Sequence, residues 1–373
     1  MQRSLRLAAS AVALSPIVLA IGAAHAQSQV QVYGVIDVAA GQYGSVGPGP
    51  AISTATGATV AVTEVKGVHN GGVTTSFLGF RGTEDLGGGL SAKFTLESFL
   101  LADTGTSGRS ATDSFWAREA TVGLAGGFGE VRLGTNGNPM WLATLPVSAM
   151  GGNSRFSPIF RYMFNGGVRG LSIIDTAMTN SIRYTTPNLS GFTGNVALQA
   201  GEGRGSRYNY AASLAYMGGP LVVTAGLQSA RHQPPPAAST AAFDQDMWVL
   251  GAAYNFGIVR LSAAYATVDN SAAAGLTPGV PNKSRIPQVG LTARLGPGQL
   301  QLTAGRDTNE IKASGATNYK RETVSAGYLY SLSKRTDIYA MLMNEKFSSV
   351  PATTPASAKK SGDSYMVGIR HAF

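Results

Sequence analysis

Apolar and polar residues alternate along most of this chain with a period of two. From Gln29 to Val38, the residues Val30, Val32, Gly34, Ile36 and Val38 share one face, and Gln29, Gln31, Tyr33 and Asp37 fall on the other. Between Leu90 and Ser98, the set Leu90, Ala92, Phe94 and Leu96 opposes Ser91, Lys93, Thr95 and Glu97. The same phase recurs from Gly191 to Gln199 and from Tyr208 to Tyr216. It closes the chain, where Tyr365, Val367, Ile369, His371 and Phe373 oppose Ser364, Met366, Gly368 and Arg370. Successive side chains of a strand point to opposite faces, so each segment predicts a strand with one apolar and one polar side.

A soluble β-protein also alternates, but the connections here favour a membrane barrel. Tight, glycine-rich or polar turns lie at 85–89, 125–129, 187–191, 218–220, 255–257, 296–298 and 332–335. Between them run longer stretches at 43–71, 103–113, 137–180, 231–244, 269–283 and 348–363. Short turns at one end and long loops at the other are the pattern of outer-membrane barrels. Aromatic residues such as Tyr254, Phe256, Tyr328 and Tyr330 sit near segment ends, where they would form interfacial girdles. With both termini on the turn side the strand count is even, and the spacing predicts about 16. The expected fold is therefore all-β: a transmembrane antiparallel β-barrel whose outward face is apolar and whose lumen is polar.

Composition narrows this further. Arg3 and Arg6 precede an apolar run from Leu7 to Ala24, and Ala24-His25-Ala26 forms an A-x-A cleavage site. Residues 1–26 therefore read as a secretory signal peptide and 27–373 as the barrel. Beyond it no apolar run is long enough for a membrane helix. There is no cysteine among the 373 residues, which removes disulfides, thiol catalysis and Cys-ligated metals. The formal charge is +9; removing Arg3 and Arg6 leaves +7. The cations are dispersed singly along strand-like segments in an exported chain, which argues against a nucleic-acid partner and for anionic solutes or a charged membrane surface.

Several longer motifs carry a family resemblance. These are Val32-Tyr33-Gly34-Val35-Ile36-Asp37, the strand–turn–strand run from Leu78 to Leu90, and the hairpin Ala120–Leu124 with Phe128–Gly134. Asn180 to Phe192, Leu332 to Thr336 and the terminal Gly368 to Phe373 complete the series. In this order they resemble the general porins of Gram-negative bacteria, especially the β-proteobacterial type. The resemblance implies a 16-stranded homotrimeric diffusion channel in the outer membrane, open to small hydrophilic solutes and inorganic ions. It also implies a third external loop folded into the barrel as a constriction.

The stretch 137–180 is the candidate for that loop. It is long and apolar, with Met140, Trp141, Leu145, Met150, Phe156, Ile159, Phe160, Tyr162 and Phe164, so packing against the barrel wall describes it better than exposure. Its charges are Arg155, Arg161, Arg169 and Asp175, and strand parity puts Arg81, Lys93, Glu97 and Arg132 on the lumen wall. Arg118 joins this set by resemblance to strongly anion-selective relatives, although the simple strand phase that takes it inward would also take Val122 and Leu124 inward. Two positions where those relatives often carry arginine hold Phe77 and Thr135 instead. Cationic rings in a narrow aqueous pore favour anions, so a moderate anion preference is expected.

Other chemistry is thin. His69, His232 and His371 stand singly, without metal-ligand spacing or a serine–carboxylate partner set, so neither a metal, a cofactor nor an enzyme of the outer membrane is expected. A solute-specific sugar or carboxylate channel is the alternative to a general pore, and saturable flux would mark it. The terminal Phe373 resembles the signal read by the outer-membrane assembly machinery. A charged tail added after Phe373 is expected to cut the yield of assembled trimer, read on unheated gels; unchanged yield would leave the residue a packing role only.

Overall fold

A strand in hydrocarbon must give every N–H and C=O a partner, and an antiparallel sheet achieves this on all strands only when it closes on itself. The computed structural model shows such a closed sheet. It describes residues 29–45, 63–109, 113–164, 175–201, 208–232, 243–271, 281–349 and 361–373. The proposed signal peptide lies outside them.

Sixteen staves run in sequence order round the barrel. They are β1 (Gln29–Ser45), β2 (Thr63–Asn70, resuming as Phe77–Gly87), β3 (Leu90–Leu101), β4 (Glu119–Gly126), β5 (Gly129–Gly137) and β6 (Ala177–Thr185). Next come β7 (Phe192–Gln199), β8 (Asn209–Gly218), β9 (Leu221–His232), β10 (Phe243–Asn255) and β11 (Val259–Asn270). The last are β12 (Asn282–Leu295), β13 (Gly298–Ile311), β14 (Thr317–Ser331), β15 (Thr336–Ser349) and β16 (Ser361–Ala372). Each pairs antiparallel with its sequence neighbour. The barrel closes where β1 meets β16, from Val35 beside Ala372 to Gln42 beside Tyr365. Phe373 extends the seam: its N–H donates to Gly34 O at 3.1 Å and its C=O accepts from Gly34 N at 3.2 Å.

Stave β2 is broken at residues 71–76, and one carboxylate holds the break. Asp37 of β1 is fully buried and accepts from the N–H groups of Gly72 (3.2 Å), Val73 (3.0 Å) and Thr74 (2.6 Å), and from the Tyr339 hydroxyl. Backbone donors that lose their ladder partners thereby find a charged acceptor.

The outward face carries the apolar set expected from the period-two pattern. Val30, Val32, Val122, Leu124, Ile182, Leu214, Val324, Leu342 and Val367 are exposed on the barrel exterior. Aromatic belts bound this zone. At the tight-turn end Phe192 packs on Tyr216 and Tyr254 on Phe256, with ring centroids 4.7 and 4.6 Å apart; nearer the loop end Trp248 meets Tyr265 at 5.5 Å. The short-turn, long-loop rule has one local break: Ile311 and Thr317 are joined by a tight connection at the loop-bearing end.

Chain between β5 and β6 turns into the lumen as α1 (Pro139–Thr144), a 3-10 turn at Leu145–Val147, and α2 (Pro158–Met163). Asn138 caps α1, its side chain accepting from Met140 N, and proline stands in the first turn of each helix, where no N–H partner is needed. Here the simple expectation of a polar lumen is overturned. Beneath the loop the inward faces of β10, β11 and β12 carry Met247, Val249, Ala264, Ala266, Val268 and Ile286, which form one buried core with Met140, Val147, Ile159, Phe160 and Met163. A second core joins Met150 and Phe156 to Met341, Met343 and Met366. Both faces of these staves are apolar because one meets lipid and the other meets the loop.

The Gly34 position tests the seam. A side chain there would bring its Cβ to 2.4 Å from Phe77 O and 2.7 Å from the Phe373 ring. Gly34→Leu is expected to destabilise the barrel by about 1–3 kcal/mol, the usual cost of overpacking. Heat-modifiable gel migration across a urea titration should show a lowered midpoint.

Candidate pore lining

The loop reaches its seat because glycines on the inward faces of four staves leave room for it. A Cβ at Gly226 (β9) would lie 2.8 Å from Ala143, and one at Gly251 (β10) 2.8 Å from Val147. At Gly290 (β12) it would meet Ala149 at 2.6 Å, and at Gly305 (β13) Pro158 at 2.6 Å. Polar anchors fix the depth. Asn138 Nδ2 donates to Gln228 Oε1 (2.9 Å), Ile159 N to Gln288 Oε1 (2.7 Å) and Asn153 Nδ2 to Gly72 O (3.0 Å). The Arg260 guanidinium of β11 donates to Pro146 O.

The strongest anchor is Arg161. Its Nη2 makes 2.8 Å bonds to both oxygens of Glu345 on β15, and its Nη1 donates to Tyr43 Oη and Arg155 O, each at 2.6 Å. Arg161 is 4% exposed and Glu345 0%. Burial works against the Arg161 cation, but the Glu345 charge outweighs it and holds the guanidinium pKa above its ordinary value. Arg321 of β14 approaches the same carboxylate at 3.5 Å, Thr323 donates to it at 3.1 Å, and Tyr162 Oη donates to Thr323 Oγ1 at 2.5 Å. This group is a strut between loop and wall, out of reach of bulk water.

The opposite wall, β2 to β6, is charged. Arg81 donates to Gln31 Oε1 through Nε (3.0 Å) and Nη2 (2.8 Å), and its guanidinium lies 4.6 Å from the Tyr33 ring centroid. Lys93 faces Glu130 at 3.5 Å. Arg132 pairs with Glu119 at 2.5 Å and with Glu130 at 3.0 Å. Arg183 of β6 stands directly beside Arg132 in the sheet and donates Nη1 to Gly137 O at 3.1 Å.

Arg118 resolves the parity conflict. β4 begins only at Glu119, so Arg118 precedes the alternating stretch, and Val122 and Leu124 point outward. From there Arg118 binds Glu97 at 2.6 Å and lies 4.2 Å from the Phe77 ring centroid. Phe77, one of the two departures from the anion-selective pattern, thus forms a platform for this guanidinium. Arg155 donates Nη2 to Asn70 O at 3.0 Å and rests 4.8 Å from the Tyr43 ring centroid. Asp175 is held at 2.6 Å through both oxygens by Arg109, a residue parity could not find because it lies in the β3–β4 connection. Arg109 also binds Asp113; burial pushes the Asp113 carboxyl up, but the guanidinium prevails and holds it below the usual range. Arg169 lies outside the described residues.

The geometry thus brings Arg81, Lys93, Arg118 and Arg132 to one wall, with Arg155 on the loop. It withdraws Arg161 into the strut and matches Asp175 with Arg109. Arg183 was legible: Ser181, Arg183 and Thr185 share a phase opposite Ile182 and Tyr184.

Comparison with known proteins gives the same architecture. A family model described as Gram-negative porin matches residues 8–349. The chain is similar to outer membrane porin protein 32 of Delftia acidovorans, 31% identical and covering 96% of this chain and 97% of that one. It is 27% identical to an outer membrane porin protein of Bordetella pertussis, over 94% and 96% of the two chains. Among solved structures, an anion-selective porin from Comamonas acidovorans matches with a TM-score of 0.73 and 28% identity, covering 93% of this chain and all of that one. A trimer form of OmpT from Vibrio cholerae shares the fold, with a TM-score of 0.65 at 14% identity over 93% of this chain and 99% of that one.

Removing the strut carboxylate should release the loop. Glu345→Gln leaves Arg161 and Arg321 buried beside a neutral amide, a change expected to cost about 3–5 kcal/mol. Planar-bilayer recordings should show altered single-channel conductance with added low-frequency noise; unchanged conductance and stability would mean that the loop is held by its apolar seat alone.

Proposed function

The chain belongs to the Gram-negative porin family, and from that premise we propose that its pore prefers anions. It is an outer-membrane diffusion porin, a passive channel for small hydrophilic solutes and ions and not an enzyme. The observation that carries the anion preference is the pairing pattern of the lumen. Glu97, Glu119 and Glu130 each have a basic partner. Arg81, Arg155 and Arg183 have no carboxylate within salt-bridge distance among the described residues. From 137 to 164 the loop contains arginines but no acidic residue. A permeating anion therefore meets Arg81 and Arg155 without a paired carboxylate, whereas Arg183 is buried and its charge is offset in part by Glu119 and Glu130.

The magnitude is modest. Two unit charges about 8 Å apart in bulk-like water interact by about 0.5 kcal/mol, roughly a twofold change in ion occupancy. Low-dielectric walls enlarge it, and salt shortens its reach from about 10 Å at 0.1 M to about 3 Å at 1 M. The name of the Comamonas structure, an anion-selective porin, supports the same reading. The further proposals follow from family membership: a homotrimer, in line with the trimer form of OmpT, cleavage of a signal peptide near Ala26, and recognition of Phe373 by assembly machinery in the lipid bilayer.

Reversal potentials in a KCl gradient test the charge assignment. The wild type should favour chloride, less so at 1 M than at 0.1 M. Arg81→Gln, Arg155→Gln and Arg183→Gln together should lower the anion/cation permeability ratio on the order of two- to fivefold. A ratio unmoved by the triple change would remove these residues from selectivity. Flux that saturates with one sugar or carboxylate, but stays linear with others, would favour a solute-specific channel.

A further inference from the structure

At the break in β2 the barrel wall and the inward loop join in one hydrogen-bonded chain. Gly71, with φ at 70°, takes a left-handed conformation that bends the backbone out of the ladder. On the wall side the Asp37 carboxylate gathers the N–H groups of Gly72, Val73 and Thr74, and the Tyr339 hydroxyl is its fourth donor. On the lumen side carbonyls at the same break accept from the loop. Asn70 O takes Arg155 Nη2 and Gly72 O takes Asn153 Nδ2, each at 3.0 Å.

Asn153 passes this position on. It is buried, and while its Nδ2 holds Gly72 O, its Oδ1 accepts from the N–H groups of Arg155 and Phe156, both at 2.9 Å. One amide thus ties the wall segment to the backbone that carries the Arg155 guanidinium. That guanidinium is half-buried and lies 4.8 Å from the Tyr43 ring centroid. Both of its links to β2 depend on where residues 70–74 stand, and the carboxylate of Asp37 fixes that place. Ser76 also binds this part of β1, but only through the Asp37 backbone: its Oγ accepts from Asp37 N at 2.9 Å and donates to Asp37 O at 3.2 Å.

We propose that Asp37 is a positioning residue for ion preference. Through residues 70–74 and Asn153 it sets where the Arg155 charge stands against a permeating ion. The proposal rests on the anion-preferring reading of the pore. Four donors share the two carboxylate oxygens, a demand that the single acceptor oxygen of a carboxamide cannot meet. Asp37→Asn therefore leaves buried donors without partners, and the segment shifts to find others. Arg155 then loses its fixed carbonyl, and its charge spreads through the wide lumen. A direct effect of the Asp37 charge has the opposite sign, because one negative charge fewer beside the pore raises the preference for anions. The sign of the change separates the two roles.

Reversal potentials of the full chain in planar bilayers, in a KCl gradient, test this. Arg155→Gln alone should lower the anion/cation permeability ratio roughly twofold, the change expected from one unit charge about 8 Å from the ion. Asp37→Asn should lower it toward the same value. Asn153→Ala changes no charge and no stave, and should lower it likewise. Combined with Arg155→Gln, neither should lower the ratio further, because each acts only through the arginine. Ser76→Ala removes a bond at the same break without touching the carboxylate, and should keep the wild-type ratio.

A higher ratio in Asp37→Asn marks a direct charge effect and overturns the proposal. Additive effects of Asp37→Asn and Arg155→Gln overturn it too. So does an equal fall with Ser76→Ala, which marks a general loosening of the wall. If Asp37→Asn does not assemble, Gly72→Ala takes its place, since the added Cβ collides with the Tyr339 hydroxyl and drives the segment from the carboxylate. An unchanged ratio in that variant and in Asn153→Ala overturns the proposal. A ratio lowered by Arg155→Gln but by none of the others refutes the positioning alone. A ratio unmoved by Arg155→Gln refutes the anion role of that residue and the proposal with it, so the two failures are distinguishable.

Discussion

Backbone hydrogen bonding in hydrocarbon is the constraint on which the rest of this structure depends. No edge of the sheet can be left open, because each unpaired peptide group in lipid costs several kcal/mol. The β1–β16 seam meets that demand between the two ends of the described chain, and the terminal Phe373 takes part with both its N–H and its C=O. In the break of β2 a stave leaves its ladder early. There Asp37 substitutes for the missing backbone partners. The polar phase of β1 put this carboxylate in the lumen, but its role is to close a gap in the wall.

Closure with sixteen staves creates a second problem: the interior is too wide for side chains to fill. The loop between β5 and β6 meets it by lining half the lumen. Its seat combines glycines, which leave room for loop side chains, with apolar side chains that exclude water from the contact. The Arg161–Glu345 pair adds specificity of position to that seat. A buried ion pair contributes little net stability against its desolvation cost, yet losing one partner is expensive. Such a pair allows few alternative placements of the loop.

Much of the barrel was legible because alternation and turn chemistry are local properties. Val30, Val122 and Val367 are outward by parity alone, and the tight turns set the order of the staves. Parity also found Arg81, Lys93 and Arg132 on the lumen wall, and the same signal at Ser181, Arg183 and Thr185 extends it to β6. The interior was harder to read, for a physical reason. Met247, Val249 and Ile286 are apolar on a lumen face because of a partner more than 80 residues away in sequence, which no periodicity encodes. Arg118 defeated the phase because it precedes its strand by one residue. Arg161 and Arg155 looked alike as loop arginines, and only the position of Glu345 separates them.

That separation governs how charge in a pore should be counted. A basic residue held against a carboxylate at 2.8 Å presents a dipole to a passing ion, and its field falls off faster than that of a lone charge. Arg161, Arg109 and Arg370 are of this kind, matched by Glu345, Asp175 and Asp337. Asp37 is likewise surrounded by donors. Those carboxylates are engaged in holding the wall and its loops together, so structural needs consume negative charge. What remains for the water-filled space is a small surplus of arginine on the loop and on the β2 to β6 wall. The lumen can thus be biased toward anions without a dense basic ring, because the bias depends on which cations lack a partner and not on how many arginines the chain contains.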